Sequence, residues 1–137
     1  MSRANARFRS ALCALAAALA LAGCVGEKPG GSLMLEVEAS RASTVLADVN
    51  EKAQKCWMKS GDRAFRDLAL IPELDTRTGK PRLLIVKRGK ASGLPQLVIE
   101  AHGDPVKIST YGPLAEAPVS ARINADVMAW TTGRTTC

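Results

Sequence analysis

The chain has 137 residues, with 19 Lys and Arg against 13 Asp and Glu, one His and four Cys, for a formal charge of +6 at pH 7. At 47% hydrophobic and 23% charged residues it is neither a disordered nor a collagenous sequence, and its length suits one domain and not two.

The first ten residues, MSRANARFRS, carry Arg3, Arg7 and Arg9 and no acid. The next 13, Ala11 to Gly23, carry no charge at all. A membrane-spanning helix needs about 20 apolar residues, so a basic start followed by a short apolar run reads as a secretory signal. Cys13 would be discarded with it.

The run ends in Leu21-Ala22-Gly23-Cys24, which resembles the lipobox of bacterial lipoproteins. That resemblance implies a diacylglycerol thioether on Cys24, cleavage before it, and acylation of the new amino terminus. Several acyl chains would hold the protein on a bilayer permanently. Val25 and Gly26 follow where an Asp would favour inner-membrane retention, so the resemblance implies the periplasmic face of the outer membrane. Loss of the three arginines takes the basic count to 16 against 13 acids, a formal +3 for the mature chain. The expected organisation is a signal peptide at 1–23, a lipidated cysteine and tether at 24–39, and a single domain at 40–137.

Val25 to Ser32 holds three Gly and a Pro without an apolar period, as expected of a tether. LMLEVEA, which follows, alternates well enough to be extended or to lengthen the next helix. From Ser40, a candidate N-cap, the residues Ala42, Val45, Leu46, Val49, Ala53, Cys56 and Trp57 fall at helical spacing, and Gly61 is a natural stop. Four runs then read as strands, FRDLALI, RLLIVK, QLVIEA and VKISTY, joined by Gly-, Pro- and Asp-containing turns. Finally Val119, Ile123, Val127 and Trp130 share a helical face, with Pro118 before it and Gly133 after it. The expected fold is α+β in the order α-β-β-β-β-α, a four-stranded antiparallel sheet with the N-terminal and C-terminal helices on one face.

With Cys24 lipidated, Cys56 and Cys137 remain, and an even pair in an exported chain reads as a disulfide. The bond makes a topological demand. In a simple meander the last helix runs away from the edge where the first helix ends. The five residues after it reach only about 16 Å, against about 20 Å for a strand of this length. The connector GPLAEAP is the expected remedy, carrying the chain back so that both helices point the same way. The alternative is a free Cys137 thiol with antiparallel helices.

The chemistry-bearing inventory is thin. His102 is the one histidine and flanks the turn HGDP. There is no Gly-x-Ser-x-Gly, P-loop or dinucleotide fingerprint, and no enzymatic activity, cofactor or metal is expected. The residues Arg77, Lys80, Arg82, Lys87, Arg88 and Lys90 lie in one acid-free segment and are candidate contacts for an anionic ligand or partner. Few aromatics and the implied compartment argue against nucleic acid. The expected function is a non-enzymatic binding or scaffolding domain, held on the membrane through its lipid and contacting an envelope protein, lipid or glycan. Alternatives are an inhibitor or accessory subunit of a cell-wall enzyme, and a small hydrolase.

Overall fold

The computed structural model describes residues 28–39, 41–75, 77 and 79–137. The signal segment, the lipobox-like Leu21 to Cys24 and the expected cap Ser40 lie outside the described residues.

The protein is α+β, with an open antiparallel sheet of five strands rather than the expected four, and two α-helices. In chain order these are β1 (Met34–Val37), α1 (Ala42–Ala53), β2 (Leu68–Glu73), β3 (Arg82–Lys87), β4 (Leu97–His102), β5 (Val106–Tyr111) and α2 (Val119–Thr131). The strands lie in the order β1-β5-β4-β3-β2. The additional strand is β1, paired with β5 from Met34 opposite Ser109 to Val37 opposite Val106. Residues 30–39 are therefore not free tether. They form the edge of the sheet and its approach.

Period-two alternation sets one face of each strand against the helices. Leu70, Leu83, Ile85, Leu97, Ile99, Ala101, Val106 and Ile108 are buried there beneath Leu46, Val49, Ala53, Ile123, Val127 and Trp130. The helical faces expected from spacing are the faces that pack. The last turn of α1 widens into a π-helical turn, Gln54–Met58, which buries the adjacent residues Cys56 and Trp57 together. Both continue the apolar face of α1 from Ala53, at the i+3 and i+4 positions. The segment expected to open the first long strand starts as a 3-10 turn, Arg63–Phe65, capped by the Asp62 carboxylate accepting from the Ala64 N–H at 2.9 Å.

The antiparallel order gives the sheet two distinct ends. At what we term the proximal end, β1, β2 and β4 begin while β3 and β5 finish. The distal end carries the turn at 103–105 and the β2–β3 connection at 74–81. The chain comes into the fold at the proximal end and is held there by side chains. The Ser120 hydroxyl accepts from the Gly30 N–H at 2.7 Å, and the Asn124 amide donates to the Gly31 carbonyl at 2.9 Å. The Thr110 hydroxyl accepts from the Leu33 N–H at 2.8 Å and donates to Asn124 Oδ1 at 3.0 Å.

Cys56 and Cys137 form a disulfide with their Cα atoms 5.4 Å apart. The route differs from the one expected. GPLAEAP does not carry the chain back; it forms a compact 3-10 turn, Pro113–Glu116, whose Leu114 N–H donates to Gln96 O at 2.8 Å. Helix α2 therefore starts at the proximal end, beside Gly30, and finishes where Trp130 and Thr131 line a hollow with Ala39 and Arg41. The helices run in opposite senses, yet the bond closes because Trp57 lies against the middle of α2, beside Asp126 and Trp130. Gly133, at φ 110°, reverses the tail so that it folds back along the helix, with Arg134 on Asp126 and the Thr136 carbonyl on Trp130 Nε1.

Candidate functional site

The six basic residues of the Arg77–Lys90 segment do not form one cluster. Strand β3 lies between them, and its six residues hold the two groups about 20 Å apart.

At the distal end every one of the three cations has a carboxylate. Arg77 pairs with Asp75, Lys80 Nζ lies 3.1 Å from Glu100 Oε1, and Arg82 Nε donates to Glu73 Oε2 at 2.6 Å. The Arg77 guanidinium holds the Asp75 carboxyl below its ordinary range, and Glu73 raises Arg82 above its own. Glu100 also accepts from the Tyr111 hydroxyl at 3.2 Å. Burial, and then the Glu100 charge, push the Tyr111 phenol upward. Glu73, Asp75, Lys80, Arg82 and Glu100 border a hollow of about 190 Å³. Its charges neutralise one another, which leaves little field for an external anion.

These groups sit on the sheet face that carries no helix, because Glu73, Arg82, Glu100 and Ser109 are cross-strand neighbours in one row. His102 is on the same face, with Nδ1 3.8 Å from Glu100 Oε1. Among the described residues no group of three or more His, Cys, Asp or Glu is placed to hold a metal ion. Tyr111 to Leu114 form a turn after β5 in which the Leu114 N–H donates to the Gln96 carbonyl at 2.8 Å.

At the proximal end Lys87, Arg88 and Lys90 are exposed, and among the described residues no carboxylate comes within 4 Å of them. Two successive turns shape their loop, Lys90 N–H onto Lys87 O and Gly93 N–H onto Lys90 O, each at 3.0 Å. Arg88 reaches across to β2's approach, its Nε donating to the Arg66 carbonyl at 3.0 Å. That contact adds Arg66, and with it Arg63, to the cationic corner. Neither was evident in the sequence, where Arg66 falls in FRDLALI, which reads as a strand, and Arg63 lies just before it. Leu94, at the end of the same loop, is 88% exposed.

A second hollow, of about 260 Å³, lies between the helices and is lined by Arg41, Thr44, Asp48, Val49, Trp130 and Thr131 among others. The chain matches no family model, no curated protein and no solved structure. The function is therefore argued from these residues alone.

Proposed function

We propose that the protein is a lipid-anchored domain of the bacterial cell envelope that binds or scaffolds, without turnover, on the periplasmic face of the outer membrane. The observation that carries this reading is the disulfide from Cys56 to the last residue, Cys137. Such bonds persist in oxidising compartments, and the signal-like N-terminus with its lipobox-like end would deliver the chain to one. Binding rather than catalysis is favoured because the charged side chains form mutual pairs at one end of the sheet and a bare cationic corner at the other.

The test is metabolic labelling with radioactive palmitate, followed by membrane fractionation. Label is expected on the wild-type chain in the outer-membrane fraction and none on Cys24→Ala. An unlabelled wild-type chain, or one recovered from the soluble periplasm, overturns the anchor.

A further inference from the structure

The proximal end combines three features that the distal end lacks. It holds the exposed cations Arg63, Arg66, Lys87, Arg88 and Lys90, and among the described residues no carboxylate lies within 4 Å of any of them. Among the described residues the acids at this end include Asp62, which is taken by Arg122, and the exposed Asp67 and Glu116. It also carries Leu94, the most exposed large apolar side chain among the described residues. Ala91, Ser92 and Gly93 beside it are small and exposed, and Met34, which opens β1 at the same end, is 83% exposed. Third, the chain comes into the fold here, fixed at Gly30 and Gly31 by Ser120 and Asn124.

We propose that this end is a bilayer-docking surface, with the cations taking the phosphates of anionic phospholipids and Leu94 entering the interface. The inference rests on Cys24 being the lipid anchor. Six residue steps lead from Cys24 to Gly30, a reach of at most about 20 Å. A strand of this sheet spans about the same length, so the tether is spent before the distal end could be turned to the membrane. The end that must face the bilayer is thus the end whose charges suit it. Exposed apolar side chains, Leu94 foremost, among lysines and arginines match an interface of acyl chains beneath negative headgroups. The distal hollow, with every cation already paired, offers no such match.

The probe is the full chain with Cys24→Ser, exported without lipid, mixed with vesicles of phosphatidylethanolamine and phosphatidylglycerol or of phosphatidylcholine alone. Cosedimentation with the anionic vesicles is expected, weakening as salt rises. Each cation near such a surface contributes about fivefold in partitioning, so Arg88→Ala with Lys90→Ala should lower it about 25-fold. Leu94→Asp should lower it as well, whereas Lys80→Ala with Arg82→Ala should not. Circular dichroism and an intact disulfide establish that each variant is folded. Equal binding to neutral vesicles, no binding to either, or loss through Lys80 and Arg82 overturns the proposal. A palmitate-labelled protein whose Cys24→Ser form ignores vesicles overturns this surface alone; vesicle binding by an unlabelled protein overturns the anchor alone.

Discussion

Asp126 on α2 is one of four polar or charged residues buried among the described residues, and its neighbours explain how a carboxylate survives there. Oδ2 accepts the Trp57 indole N–H at 2.9 Å, Oδ1 meets the Arg134 guanidinium, and Arg122 Nε lies 3.6 Å away. A buried charge is tolerated when paired and hydrogen-bonded, and removing its partner strands the remainder. Asp126→Ala would leave the Trp57 N–H without an acceptor in the aromatic stack it makes with Phe65, 5.4 Å between ring centres. Arg134 would lose its main partner, though part of that charge can return to water. A loss of about 2 kcal/mol in urea unfolding is expected, with Asp126→Asn losing less because its amide oxygen still accepts. A change within error for Asp126→Ala would mean that Trp57 finds another acceptor. None of this was visible in the sequence, where Asp126 sits between two apolar positions of an amphipathic helix and looks like solvent-facing filler. Its partners come from 69 residues earlier and 8 residues later.

At the scale of elements, strands β2 to β5 were legible because each is a six-residue apolar or alternating run between turn residues, and α1 and α2 because their apolar spacing holds for three turns or more. Strand β1 was not. Its four residues alternate, but its partner β5 lies some 70 residues along the chain, and a short local pattern cannot distinguish a paired strand from an extended approach. The same limit hid the distal ion pairs. Arg77, Lys80 and Arg82 looked like one cationic run because Glu73, Asp75 and Glu100 reach them only through the sheet. What holds β1 in place can be tested at Gly30, where an added Cβ would come 2.5 Å from the Ala121 Cα. Backbone is there, not a flexible side-chain end, so Gly30→Ala must push the approach off α2 and loosen the Ser120 and Asn124 bonds. A loss of about 1–3 kcal/mol is expected, as for overpacking elsewhere. Faster amide exchange over Leu33 to Val37 should accompany it. Unchanged stability and exchange would show that residues 30–33 are not docked in solution.

At the scale of the whole molecule, the disulfide and the docked N-terminal approach act on the same end of the sheet. Cys56 follows α1 down to the proximal side, Gly30 and Gly31 are tied to the first turns of α2, and the 3-10 turn at Pro113–Glu116 joins them through Gly31 N–H onto Ala115 O at 3.1 Å. That end is therefore rigidly connected to the core, while the cationic loop projects from it. A rigid platform converts a short tether into an orientation, because the body cannot swing independently of Gly30. With the lipidated chain in vesicles containing phosphatidylglycerol, the proposed docking predicts a gradient of reactivity along the sheet. Lys87 and Lys90, at the membrane, should be acylated by an amine reagent several-fold more slowly than in detergent solution. Lys107, exposed on β5 at the distal end, should react equally in both. Lysine footprinting by mass spectrometry reads all three from one digest, and Lys107 is the internal control for reagent and folding. Slowing of Lys107 together with Lys87 and Lys90 would instead mean that the bilayer covers the distal end as well. In that case Glu73, Arg82 and Glu100 would have to exchange their mutual pairs for headgroups, and the charge arrangement at the distal end gives them no reason to do so.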